Sequence, residues 1–169
     1  MHVPDSEHDF FAAVFDAHYR RVVAFARRRV EPAVADDIAA ETFLRVWRKL
    51  DEVPRDDFPV GALPWIYGVA RHVLLESARG DRRRGALADR VGTVDPPRVV
   101  HNPATEDAIV VGKALRELPE LDQEILRLHA WEDLDAAAIA AVLGCAVTTA
   151  RVRLHRARKR LAERLKETS

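Results

Sequence analysis

Apolar side chains recur every three or four positions along most of this chain, and the short β-branched runs never alternate long enough to favour a strand. The pattern predicts an all-α protein. A first helix should start near Ser6, where Ser6, Glu7, His8 and Asp9 resemble a capping box, and it carries Phe11, Val14, Phe15, His18, Val22, Phe25 and Ala26 at helical spacing. Pro32 should mark its end. A second helix over about 34–50 places Ala39, Phe43, Val46, Trp47 and Leu50 on one face and Asp37, Glu41, Arg45 and Arg48 on the other. Residues 51–62 hold two prolines and a glycine among charged residues and read as a loop. A third helix over about 63–79 should bury Ile66, Val69, Ala70 and Val73 and stop at Gly80.

Periodicity is lost between residues 85 and 105, where two glycines and Pro96, Pro97 and Pro103 interrupt it, so this stretch reads as a linker. Four more helical patterns follow, near 106–117, 119–130, 135–143 and 147–166. Two small helical units joined by a flexible linker are therefore predicted. The last two patterns have helix-turn-helix spacing: Asp135 can cap a short helix, Gly144 supplies the sharp turn after Leu143, and a second helix begins near Val147. In that helix Val147, Ala150, Leu154, Ala157, Leu161 and Leu165 form one stripe, which turns Arg151, Val152, His155, Arg156 and Lys159 outward.

Charge sharpens this picture. Lys plus Arg and Asp plus Glu each number 27, for a net charge of zero, which excludes a uniformly basic coat or a disordered acidic tail. The neutrality is a cancellation. Residues 148–166 hold eight basic side chains against Glu163 alone, a balance of +7, whereas residues 102–135 hold nine acidic against three basic, a balance of −6. With 48% hydrophobic residues the chain can bury a core, and no run approaches 18 apolar residues, so no membrane insertion is expected. The lone Cys145 makes no internal disulfide or Cys-based zinc site, and the seven histidines are scattered. No metal, no cofactor and no catalytic residues are expected, in a cytoplasmic protein.

The outward face of the last helix has the chemistry of a duplex reader: Thr hydroxyls at its N-terminus suit phosphates, and Arg can read guanine bidentately in the major groove. A solvated basic face is the plainer alternative. In the third helix Trp65, Tyr67, Arg71 and His72 near the start and Arg79, Arg82, Arg83 and Arg84 at the end combine aromatics that stack on unpaired bases with cations that follow phosphates. Trp65 and Ile66 should partly fill the core, and Tyr67 is expected to be the exposed aromatic.

The strings ADDIAAETFLRVWRKLD (35–51) and PWIYGVARHVLLESARGDRRR (64–84), followed by the linker and DLDAAAIAAVLGCAVTTARVRLHRARKRL (133–161), resemble regions two and four of bacterial RNA polymerase sigma factors. The likeness is to the small extracytoplasmic function (ECF) class, which has only those two domains. It implies a region-two domain over 1–84, a linker over 85–104 and a region-four domain over 105–169. It also implies three partners: core RNA polymerase, promoter DNA and an anti-sigma factor. By resemblance, Asp37, Glu41, Arg45 and Trp47 are candidates for docking on the clamp helices of the largest polymerase subunit. For Glu41 and Arg45 the alternative is a helix-surface pair worth only about 0.3–0.5 kcal/mol, and Trp47 is also a candidate for the core.

The same resemblance assigns Trp65, Tyr67, Arg71, His72, Arg79, Arg82 and Arg83, with the loop over 51–62, to the unpaired strand of the minus-ten element. It assigns Thr148, Thr149, Arg151, Val152, Arg153, His155, Arg156 and Arg158 to the minus-thirty-five element, with Thr149 and Arg158 on phosphate. The chain departs from the family pattern at His72, where many members have Asn, and at Pro64 and Gly68. Thr148, Thr149 and Ala150 stand where Gly-Thr-Val is usual, and Asp135 with Ala138 replaces a Ser-x-x-Glu capping box. An autonomous helix-turn-helix regulator is the alternative function, and an enzyme is disfavoured because no nucleophile motif or Gly-rich phosphate loop is present.

Overall fold

The backbone of the first helix starts at a side chain. Ser6 is extended, its hydroxyl oxygen accepts the Asp9 N–H at 3.1 Å, and the hydroxyl donates to Asp9 Oδ2 at 2.8 Å, which satisfies one of the otherwise orphaned donors of the first turn. The computed structural model describes residues 6–88 and 105–168. The chain divides into two units, Met1–Val100 and His101–Ser169, and each has its own core. Among the described residues all regular structure is helical.

In the first unit, α1 (Glu7–Arg27), α2 (Pro32–Arg48) and α3 (Leu63–Ala88) pack against one another. Residues at period 3.6 on α1 form its buried stripe: Phe10, Val14, His18, Val22, Phe25 and Ala26. Phe15 is exposed, contrary to expectation, and Phe10 takes a core place instead. Pro32 does not end α1, which stops at Arg27; it opens α2 at the first helical position. There its fixed φ suits the helix and its missing N–H would have had no partner. Thr42 lies fully buried on α2, and its hydroxyl donates to the Ile38 carbonyl at 2.7 Å, so that hydroxyl is not stranded. Leu50 belongs to a short 3-10 turn, Leu50–Glu52, beyond the helix.

Gly80 does not terminate α3. A glycine stop requires a left-handed backbone, and Gly144 is the one glycine with positive φ among the described residues. The residues after Gly80 favour helix instead, with Asp81 and Arg84 paired one turn apart. Helix therefore occupies 85–88, part of the predicted linker. The remainder of that linker, 89–104, lies outside the described residues.

The second unit contains α4 (Glu106–Arg116), α5 (Glu120–Ala130), α6 (Ala136–Leu143) and α7 (Val147–Thr168), with α7 packed against the other three. Thr105 and Asp135 cap α4 and α6 by accepting the Ala108 and Ala138 N–H groups at 3.2 and 2.8 Å. Ile125, Leu128 and Ile139 are fully buried, and Ala150, Leu154 and Ala157 close the core from α7. Asp122 of α5 is buried and accepts a charge-assisted bond from Arg160 of α7. One acid of the −6 segment thus neutralises one base of the +7 helix inside the unit. No single helix among the described residues is long and apolar enough to cross a membrane.

Candidate nucleic-acid and polymerase surfaces

The turn between α6 and α7 sets the C-terminal surface. Gly144 adopts φ 65°, and the Cys145 N–H reaches back to the Ala140 carbonyl at 3.0 Å. This left-handed residue reverses the chain so that α7 leaves at a steep angle to α6. With Ala150, Leu154 and Ala157 facing the core, the rotation of about 100° per residue exposes Thr148, Arg151, Val152, His155, Arg156 and Lys159 together. Val152 is an apolar side chain 48% exposed in the middle of this cationic face. Thr149 and Arg153 are half-buried at its margins. Val147, expected on the core stripe, is exposed at the first position of α7.

Arg158 is exposed and, like Arg160, has a partner on α5, in its case a ring nitrogen: it meets Nε2 of His129 at the end of that helix, while the His129 Nδ1 lies 2.9 Å from the Leu134 carbonyl oxygen. Sequence reasoning did not single out His129. The two residues are 29 positions apart, and no local pattern links them.

In the first unit, α3 presents Trp65 half-buried and His72 and Arg79 exposed. They follow one another at seven-residue intervals, which keeps them in line to within about 20° per step on the helix surface. Arg82, Arg83 and Arg84 are exposed beyond them and Arg71 is half-buried beside them. Tyr67 does not join this surface. It is only 3% exposed, with its ring stacked on Phe25 of α1, centroids 4.8 Å apart. The reason is that α3 touches both α1 and α2, so its buried arc is wider than one amphipathic stripe and takes in position 67 as well as Ile66, Ala70 and Val73.

The loop ahead of α3 is held by aromatic contacts. Phe58 is half-buried against Phe10 and His18 of α1, with centroids 5.5 and 6.2 Å away, and the Arg55 guanidinium lies 3.8 Å from the centre of the Phe10 ring. His18 is buried, and neither ring nitrogen meets a hydrogen-bond partner at proper geometry. Burial pushes its imidazole below the ordinary histidine range. The backbone of Pro59 opposes that shift, and the nearby Arg21 cation adds to it. Val60 is exposed on the loop, and Gly61 is closely applied to the backbone of Asp56.

On α2, Asp37 is exposed and Glu41 and Arg45 pair at 2.9 Å along the helix. Arg45 also reaches Glu76 of α3, at 2.5 Å. Trp47 is not brought beside these three. Ten residues beyond Asp37 the helix has turned it toward α1, where its ring meets His8 and Phe11 at 5.0 and 5.1 Å while staying 37% exposed. It is therefore both a packing residue and a surface residue. Leu44 and Arg48, exposed near the line of Asp37, complete that face.

Residues 14–84 match the Sigma-70 region 2 family and residues 109–161 match Sigma-70, region 4. The chain is similar to the ECF RNA polymerase sigma factor SigC of Mycobacterium tuberculosis, 35% identical over 132 residues, spanning 75% of this chain and 68% of that protein. Against SigL of the same organism it is 28% identical over 158 residues, covering 92% of this chain and 88% of SigL. Among solved structures it resembles the sigma factor RpoE in complex with the anti-sigma factor NepR from Bartonella quintana, with a TM-score of 0.69 and 26% identity over 92% of this chain and 96% of that one.

Proposed function

The chain belongs to the ECF class of RNA polymerase sigma factors, and from that membership we propose how its two units divide the work of promoter recognition. The observation that carries the reading is the polarity of α7: core residues Ala150, Leu154 and Ala157 on one side, and Arg151, Val152, His155, Arg156 and Lys159 on the other, behind the Gly144 turn. A helix so presented enters a major groove with its first two turns against base edges. Arg151, Arg156 and His155 supply donors for guanine, Val152 an apolar contact for a thymine methyl, and Thr148, Thr149, Arg153 and Arg158 reach phosphate.

The first unit, extended to Ala88 by α3, captures the unpaired strand of the minus-ten element. Trp65 and His72 offer ring faces to bases, and Arg71, Arg79, Arg82 and Arg83 follow the phosphates. Opening duplex costs about 1.4 kcal/mol of stacking per step, so these contacts must return several such increments. Tyr67 supports that surface from beneath by holding α3 on Phe25. Asp37 and the exposed edge of α2 dock on core polymerase, with Glu41 and Arg45 shaping the face and Trp47 flanking it. Residues 89–104 join the two units, and the region-four unit spans 105–169. An anti-sigma factor, the kind of partner with which RpoE was crystallised, covers these surfaces in the inactive state. The protein does no chemistry itself, because bond formation in the transcript belongs to the core enzyme.

Transcription in vitro tests the proposal. Purified protein added to core RNA polymerase and a library of genomic promoter fragments should start transcripts from a defined subset. Sequence-specific duplex binding by the protein alone, with no transcripts from any fragment, would make it an autonomous regulator instead.

A further inference from the structure

We propose that His129 is a positioning residue that holds Arg158 of α7 ready for a DNA phosphate at the edge of the groove; this rests on the reading of α7 as the duplex-facing helix. The two neighbours of the ring assign its tautomer. A carbonyl oxygen only accepts, so the His129 Nδ1, 2.9 Å from the Leu134 oxygen, carries the proton, and Nε2 is left with a lone pair. A guanidinium has donors only, and Arg158 places one of them on that lone pair. The carbonyl that orients the ring is itself fixed: Leu134 is buried, and its N–H donates to the Leu128 carbonyl at 3.2 Å. A chain of three hydrogen bonds thus runs from the core of the unit to the flank of α7.

What distinguishes this arrangement is the charge of the acceptor. Arg160 on the same helix is held by the Asp122 carboxylate, which cancels its charge. Arg158 is held by a neutral ring, so its full positive charge and its remaining four donors stay available. It lies in line with Arg151 and His155, at positions i, i+4 and i+7 of α7, on the flank of the exposed face that borders α5. That is where a helix seated in a major groove meets the phosphate backbone rather than the bases. A long side chain ordered in advance loses less freedom when it binds.

The test uses the full-length protein and a fluorescein-labelled 30-base-pair duplex of random sequence, since a phosphate contact needs no cognate promoter. Binding is followed by anisotropy from 25 to 150 mM KCl. Arg158→Ala should weaken binding and reduce the slope of log K against log salt by about 0.9. His129→Leu should weaken it about three- to tenfold with little change in slope, the size expected for one hydrogen bond lost in ordering. It should do nothing further in the Arg158→Ala background. His129→Gln, whose amide can donate to Leu134 and accept from Arg158, should restore binding. If His129→Leu does not fold, His129→Asn, too short to span both partners, replaces it in the cycle.

An equal loss from the His129 substitution in both backgrounds would overturn the inference and make the residue merely structural. So would a loss with Arg156→Ala but none with Arg158→Ala, with α7 still the DNA-facing helix. If neither arginine substitution affects binding, the reading of α7 fails and this inference falls with it.

Discussion

Arg45 of α2 reaches Glu76 of α3 at 2.5 Å, while its Nε stays 2.9 Å from Glu41 one turn back on its own helix. The hydrogen bond from Arg45, and after it the Arg45 charge, hold the Glu76 carboxyl below the usual carboxylate range. The same contacts keep Arg45 more firmly protonated than an ordinary arginine. Because Glu76 is exposed, water and salt screen the pair. Arg45→Ala should lower the melting temperature of the protein slightly at pH 7 and low salt. A group with a depressed folded pKa stabilises above its unfolded value, and the contribution is lost as pH falls through the folded one. The gap between wild type and variant should therefore close in acid, below the ordinary glutamate range, and in 1 M salt. A gap unchanged in 1 M salt would mean that Arg45 acts by packing its stem.

The same strut changes how the polymerase face should be probed. Reversing Glu41 would disturb the Arg45 bridge as well as the surface, whereas Asp37 is exposed and can be altered alone. Asp37→Lys should slow association with core polymerase about tenfold at low salt and leave thermal stability unchanged. Stopped-flow association kinetics with labelled core enzyme would show it, and unaltered rates would remove Asp37 from the interface.

His18 should make the first unit sensitive to acid. Its folded pKa lies below the unfolded value of 6.5, so the unfolded chain takes up the proton first as pH falls. The neutral ring is therefore compatible with full stability above that value, and stability declines on acidification below it. Wild type should lose denaturant midpoint between pH 7.5 and 5.5. His18→Leu should lose clearly less, and equal losses in the two proteins would place the sensitivity elsewhere.

Gly61 has no room for a side chain: a Cβ there would sit 2.3 Å from the Asp56 carbonyl oxygen, which is backbone and cannot swing away. Gly61→Ala should cost about 1–3 kcal/mol, in the range of overpacking, and displace the loop that carries Phe58. Urea denaturation gives the cost. Permanganate footprinting of promoter complexes should show reduced opening of the minus-ten region if this loop captures the unpaired strand.

Leu154 and Arg156, two positions apart, separate stability from recognition. Leu154→Ala should destabilise the C-terminal unit by about 2–5 kcal/mol. Arg156→Ala should leave its unfolding unchanged and cost about 1–3 kcal/mol of binding at particular upstream base pairs. A loss spread evenly over all sequences would reassign Arg156 to phosphate.

The features that could be read directly from the chain are those in which cause and effect lie within a turn or two. Ser6, Asp135 and Gly144 cap or turn helices through hydrogen bonds and dihedral angles spanning a few residues. The outward set on α7 follows from its period alone. Residue type alone misleads at Pro32 and Gly80, since a proline suits a helix start and a glycine stops a helix only in a left-handed conformation. The burial of Tyr67 could not be seen locally, because the width of a helix's buried arc depends on how many helices press on it, and α3 is pressed by two.

The pairs that shape the candidate surfaces are further still from any sequence pattern. Arg45 and Glu76 are 31 residues apart, and Arg158 and His129 are 29 apart. By itself the sequence determined the helices, their caps and the polarity of α7, because helical period and capping are short-range. Only the tertiary structure decided which charged side chains are held and by what, because an ion pair or a buttressed arginine exists only once two distant helices have been brought together by their apolar faces.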